Sequence, residues 1–170
     1  MSKTNTVCIS GHRPKKLPWG YDESKDICKR FKIDLRGVLV KLINDSYNRY
    51  LIGMAEGFDM ICAEILLTLK KEFKHIKIIA VIPCINQNVK WSFKQRLKYR
   101  RIVKKADEVI ILQKEYTENC MNKRNHYMVI NSSVVLACFD GSPSGTKNTL
   151  MEANKMGHKI LILNPKDYEL

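Results

Sequence analysis

Residues 4–14 read Thr4-Asn5-Thr6-Val7-Cys8-Ile9-Ser10-Gly11-His12-Arg13-Pro14: a buried strand over Thr4 to Ile9 that runs into a loop where Gly and Pro break regular structure. From about Glu23 to Asn48, Ile27, Phe31, Leu35, Val38, Leu39, Leu42 and Ile43 recur at helical spacing, so one stripe faces a core. The unit then repeats. Tyr50 to Ile52 is a short strand, Gly53 to Gly57 a glycine-bounded turn, and Phe58, Ile61, Ile65, Leu69 and Phe73 share one helical face. Lys77 to Ile82 is an apolar strand ended by Pro83, Trp91 to Lys104 a basic helix, Glu108 to Leu112 a strand, and Cys120 to Met128 the opening of a helix. Ser133 to Phe139, a helix over Thr146 to Met156 and a last strand Lys159 to Leu163 complete the alternation. Strands apolar on both faces that alternate with helices predict an α/β, Rossmann-like three-layer sandwich, its mainly parallel sheet flanked by helices on both faces.

The length of 170 residues predicts one domain, 1–170, able to bury its own core. Hydrophobic residues make up 45% and charged residues 28%, which excludes the composition of a disordered chain. Val7-Cys8-Ile9 is too short for a signal-peptide core and no apolar run reaches membrane-spanning length, so a cytoplasmic protein with no membrane partner is expected. The six cysteines are scattered singly, which predicts buried free thiols and no metal site. A formal net charge of +13 points to an anionic partner without saying which.

In a doubly wound sheet the ligand crevice lies beyond the carboxyl ends of the strands, so the post-strand loops carry the functional reading. Gly11-His12-Arg13-Pro14 offers close backbone approach, a planar fork of donors for phosphate, and an imidazole; a solvated surface turn accounts for the same residues. Gly53-Met54-Ala55-Glu56-Gly57-Phe58-Asp59 brackets a helix start with glycines, where N–H groups can face an anion, although the spacing is not G-x-G-x-x-G. Asp59 is read there as an N-terminal charge or cap. Asp140-Gly141-Ser142-Pro143-Ser144-Gly145-Thr146 leads directly into a helix and is the best phosphate cradle in the chain; an ordinary capped turn is the alternative.

These motifs together resemble the SLOG superfamily, most closely its YpsA-like branch. The resemblance runs over nearly the whole chain: Ser10 to Pro14, Leu17-Pro18-Trp19-Gly20-Tyr21, Gly53 to Glu64, Ile82-Pro83 with Gln87 and Trp91, Arg124-Asn125 with Tyr127-Met128, and Gly145-Thr146. It implies a Rossmann-like fold that binds a nucleotide or an NAD- or ADP-ribose-like molecule. Carried over by motif, the pocket residues are Gly11, Arg13, Gly53, Glu56, Arg124, Asn125, Gly145 and Thr146. Gln87 and Trp91 resemble the positions after strand three, with Trp91 placed to stack on a base. His12, Met54, Gly57, Asp140, Ser144 and Asn148 complete the candidate ligand-binding set. Two departures matter: Ser144-Gly145-Thr146 stands where the family usually has Gly-Gly-Thr, and Asn148 matches the catalytic Glu of the related cytokinin-activating phosphoribohydrolases. An amide cannot replace that carboxylate, so their hydrolase chemistry is not expected.

The leading reading is therefore a protein that senses or sequesters a nucleotide-derived ligand, needs no cofactor and forms a homo-oligomer, dimer or higher. The second is a nucleotide N-glycosidase in which Glu56 or Asp140 replaces the missing carboxylate. The third is binding of single-stranded nucleic acid: the Gly53 to Asp59 block also resembles DNA-processing proteins of the superfamily, and Lys90, Lys94, Arg96, Lys98, Arg100, Arg101, Lys104 and Lys105 crowd one helix and its end.

Overall fold

The computed structural model describes residues 2–169. Six strands, β1 (Thr6–Gly11), β2 (Arg49–Ile52), β3 (Lys77–Ile82), β4 (Glu108–Ile111), β5 (Val134–Cys138) and β6 (Lys159–Leu163), form one sheet in the order β4-β3-β2-β1-β5-β6. Every ladder is parallel, so the sheet is wholly rather than mainly so. Helices α1 (Asp26–Asn44), α2 (Phe58–Leu69), α3 (Phe93–Lys105), α4 (Cys120–Ile130) and α5 (Gly145–Lys155) connect them.

The strand period of two sorts the side chains between two cores. Val7, Ile9, Tyr50, Ile52, Ile78 and Leu136 join the buried faces of α1, α2 and α3. Cys8, Leu51, Ile79, Val81 and Val135 join Met128 and Val129 of α4 and Leu150 and Ala153 of α5. This is the three-layer arrangement that the apolar strands demand. All six cysteines are free and buried.

Element ends differ from the sequence expectation where local chemistry intervenes. Helix α1 starts at Asp26, because Glu23 turns aside to accept from Lys32 at 2.6 Å and from Lys98. Trp91 lies outside α3, whose cap is Ser92, its side chain accepting from the Gln95 N–H at 3.3 Å. Phe73 packs on the core beyond the end of α2.

The topology has one functional consequence. From β1 the chain adds β2, β3 and β4 outward on one side, then crosses back to lay β5 and β6 on the other. The switch point falls between β1 and β5, and the loops after these two strands diverge there to leave a crevice.

Candidate functional site

A cleft of about 380 Å³ occupies this switch point. Its wall takes Ser10, Gly11, His12, Arg13, Lys15 and Lys16 from the β1 loop, Ala55 and Asp59 from the β2–α2 connection, Met121, Asn122, Arg124 and Asn125 from α4, and Pro143, Ser144, Gly145 and Thr146 from the start of α5.

The β1 loop is clamped on both sides. The His12 N–H donates to Cys138 O at 3.1 Å, extending the β1–β5 ladder by one residue, and the His12 carbonyl accepts from the Phe58 N–H at 3.1 Å. That approach of α2 dictates Gly57, which has φ of +90° and where a Cβ would stand 2.7 Å from the His12 carbonyl oxygen. Gly11 is likewise fixed by packing, because a Cβ there would overlap the Phe58 ring. The glycines of the first two loops therefore admit protein, not ligand. Gly145 differs: the nearest atom to a Cβ built there is Asn125 Nδ2 at 3.7 Å, so this face of the α5 N-terminus is open.

Ser144 caps α5, its hydroxyl accepting from the Lys147 N–H at 3.2 Å. The first N–H groups of the helix face the cleft beside Arg13, Lys15, Lys16 and Arg124, which together outnumber the one carboxylate of the wall, Asp59. Lys16 also braces the loop, donating to Ser142 Oγ at 3.0 Å and to the Pro143 carbonyl. The cleft wall therefore carries a local excess of positive charge at a helix N-terminus.

Beneath the rim lie two buried charges. Arg124, 5% exposed, donates through Nη1 to the Gly53 carbonyl and through Nε to Asn125 Oδ1 at 2.7 Å. Asp59, 4% exposed, accepts through Oδ2 from the Ala55 N–H at 3.1 Å. Burial pushes the Asp59 carboxyl up to about 6, against the opposing pull of Arg124, the Ala55 N–H and Arg13. Burial likewise lowers the Arg124 guanidinium, with Asp59 opposing.

Eight of the candidate residues meet in this wall: Gly11, His12, Arg13, Arg124, Asn125, Ser144, Gly145 and Thr146. Eight do not. Gly53 sits behind Arg124, and Gly57 behind the His12–Arg13 backbone. Met54 is fully buried with a φ of +58°. Glu56 is buried and accepts from the Tyr21 hydroxyl, a bond that raises the Tyr21 phenol. Gln87 reaches Met54 O and Tyr99 Oη, each at 3.4 Å, and Trp91 meets Tyr99 edge-on with ring centroids 5.4 Å apart. Asp140 organises its own loop: its carboxylate accepts from the Ser142 hydroxyl at 2.6 Å and N–H at 2.9 Å, pairs with Lys166 at 3.1 Å, and lies 2.8 Å from His12 Nε2. The Ser142 bonds above all hold it well below the usual carboxylate range.

Asn148 is exposed on α5, and the inward residue of that turn is Thr149, which donates to the Gly145 carbonyl at 3.0 Å. Neither Asn148 nor Thr149 is part of the cleft wall, and α5 contributes no carboxylate to it. Asp59, Lys15 and Lys16 were absent from the candidate set. A capping role hid Asp59 in the sequence; the signal available was a carboxylate directly after a loop at the sheet's carboxyl edge. Of the basic α3 residues, Lys98 is spent on Glu23 and Glu64 and Arg101 on Glu64.

The YpsA family model, described as the YspA SLOG family, matches residues 7–164. The chain belongs to this family. Among the relatives of this SLOG protein is the uncharacterized SPbeta prophage-derived protein YoqJ of Bacillus subtilis, 34% identical over 151 residues, covering 80% of this chain and 88% of that one. A UPF0398 protein of Brevibacillus brevis is 26% identical over 168 residues, 95% and 89% of the two chains. DNA processing protein A of Helicobacter pylori, whose structure is described for its single-stranded DNA binding mode, superposes with a TM-score of 0.62 at 18% identity over 95% of this chain and 69% of that chain. The Streptococcus pneumoniae protein gives 0.60 at 16% identity over 92% of this chain, which spans 49% of its length. These two likenesses establish the shared Rossmann-like fold. Among the described residues no helix is long and apolar enough to cross a membrane, and no His, Cys, Asp and Glu cluster could hold a metal ion.

Proposed function

We propose that this protein binds a phosphate-bearing, nucleotide-derived ligand in the cleft between the β1 and α5 loops, as a cytoplasmic sensor or sink rather than a catalyst. The observation that carries this reading is the convergence of the open α5 N-terminus with Arg13, Lys15, Lys16 and Arg124 on one cleft. The volume suits a small ligand. Neither Glu56 nor Asp140 lies in the wall, and both are already engaged, which speaks against their use as acid or base. No cofactor is needed for such a role.

The test is calorimetry of the purified protein with AMP, ADP-ribose and NAD, alongside mass spectrometry of small molecules released on denaturation. Micromolar or tighter binding that is lost in Arg13→Ala is expected. Absence of binding by all three, with no released nucleotide, would overturn the reading.

A second reading has its own support in the fold shared with a single-stranded DNA-binding protein and in the exposed cations of α3, Lys94, Arg100 and Lys104 among them. It calls for salt-sensitive binding of oligonucleotides that survives Gly145→Asp. Exposed Val109 and Ile111 on the edge strand β4 are the face on which self-association is expected, to be read by sedimentation.

A further inference from the structure

Cys84 lies in the connection after β3 and Cys120 opens α4, and both are buried. Of the six free thiols, these two alone hydrogen-bond to one another among the described residues. The backbone holds them in register. The Ile85 N–H donates to the Lys114 carbonyl at 3.2 Å, which stitches the segment after β3 to the segment that enters α4, and the Cys120 N–H donates to the Thr117 carbonyl at 3.1 Å. The cover over the pair is thin, since Ile85, next to Cys84, is 58% exposed. Neither thiol belongs to the cleft wall.

Burial raises the Cys84 thiol, and the charge and hydrogen bond of Cys120 raise it further, so Cys84 keeps its proton and the Cys120 sulfur accepts it in the shared bond. Two thiols in contact on separate elements are placed to join once one of them is oxidised. Their burial excludes a bulky oxidant and leaves a water-sized one, a hydroperoxide. The Cys120 sulfur attacks one peroxide oxygen, the O–O bond breaks, and water leaves behind a sulfenic acid. The Cys84 sulfur then attacks the Cys120 sulfur, the S–O bond breaks, and a second water carries off the Cys84 proton. The two thiols lose two electrons, and the peroxide is reduced to two waters.

The consequence falls on the cleft. Arg124 stands one turn beyond Cys120, and Met121, Asn122, Arg124 and Asn125 form the α4 part of the wall. Helix α4 packs on β1, β3 and α5, and in the sheet β3 and β5 lie on opposite sides of β1. A covalent bond holds two sulfurs closer than a hydrogen bond does, so the disulfide draws the start of α4 toward β3 and away from the α5 N-terminus that β5 feeds.

We propose that Cys84 and Cys120 form a redox switch: a hydroperoxide joins them, and the disulfide pulls the α4 wall off the α5 N-terminus and loosens the cleft's hold on an anion. The loss of anion affinity rests on the phosphate-binding reading above; the crosslink and the shift of α4 do not.

The experiment treats the full chain with hydrogen peroxide or with glutathione disulfide and maps its disulfides by mass spectrometry. Reduced and oxidised forms are then compared by backbone hydrogen exchange and by calorimetry with inorganic phosphate and AMP. The expected product is one disulfide, Cys84 to Cys120, made by hydrogen peroxide and not by glutathione disulfide, and reversed by dithiothreitol. Exchange should change over residues 121–125, and AMP affinity should fall at least about fivefold. Cys84→Ser and Cys120→Ser should each keep the reduced-form affinity in peroxide, while Cys28→Ala should crosslink like the wild type. No disulfide, or a different pairing, overturns the switch. Equal crosslinking by glutathione disulfide overturns the hydroperoxide as its oxidant. A crosslinked protein with unchanged exchange in α4 and unchanged affinity overturns its control of the cleft. If neither form binds phosphate or AMP, the phosphate-binding reading fails by itself, and the disulfide map with the exchange over residues 121–125 still decides the switch.

Discussion

Gly53 and Arg124 share one space: a Cβ on residue 53 would fall inside the Arg124 guanidinium, which in turn donates to the Gly53 carbonyl. The glycine at the end of β2 is thus the complement of an arginine that lies 71 residues further on in the chain. Gly53→Ala is expected to push Arg124 off its seat, costing about 1–3 kcal/mol in thermal or urea melts and at least tenfold in AMP affinity. Gly145→Ala, with room for its methyl, should change neither by much. Gly145→Asp should abolish binding while the circular dichroism spectrum is preserved, because a carboxylate then occupies the phosphate position.

Arg13 is exposed and Arg124 is buried, so the same truncation has different consequences. Arg13→Ala should weaken AMP binding about tenfold and leave the melting temperature unmoved. Arg124→Ala should weaken binding and also destabilise the fold by about 3 kcal/mol, since it strands the Gly53 carbonyl and leaves Asp59 uncompensated. Arg124→Lys should restore only part of the affinity, as a point charge cannot serve Gly53, Asn125 and a ligand at once. The slope of affinity against salt, measured by calorimetry, should flatten in either alanine variant.

Asp59 carries a pH signature. Its carboxyl rises from 3.8 in a free chain to about 6 when folded, chiefly through burial. The folded state therefore holds the proton more tightly, and the ionised form above pH 6 is the destabilised one, by about 3 kcal/mol. Stability lost to this group is recovered as the pH falls through 6 toward 3.8. Asp59→Asn should accordingly melt higher than the wild type at pH 8, with the gap closing toward pH 4. A constant gap at both values would deny the buried charge.

Nucleoside monophosphates incubated with the protein for hours should be recovered intact, with chromatography detecting no free base above a buffer control. If base is released, Glu56→Gln, Asp140→Asn and Asp59→Asn identify the carboxylate responsible. Asp59 is the one expected to matter, as the only carboxylate of the wall among the described residues.

The alternation of apolar strands with striped helices determined the layers, the parallel sheet and the edge at which loops gather, because periods of 2 and 3.6 and short connections leave few other packings. His12, Arg13, Ser144, Gly145 and Thr146 were legible because each follows a strand or opens a helix at that edge, whereas Arg124 and Asn125 were indicated by the family resemblance. Which of the post-strand residues face one another was decided only by tertiary structure. Gly11, Gly53 and Gly57 look alike in sequence as ligand-approach glycines, yet each is fixed by a protein group arriving from elsewhere, Phe58, Arg124 or His12. Asp140 reads in sequence as a candidate ligand-binding or catalytic acid, whereas in the fold Ser142, Lys166 and His12 close on it. Asp59 reads as a helix cap, yet the N-cap of α2 is Gly57 and Asp59 accepts instead from the Ala55 N–H of the preceding turn; it shares the cleft wall with Arg124 only because the crossing from β4 to β5 brings α4 there.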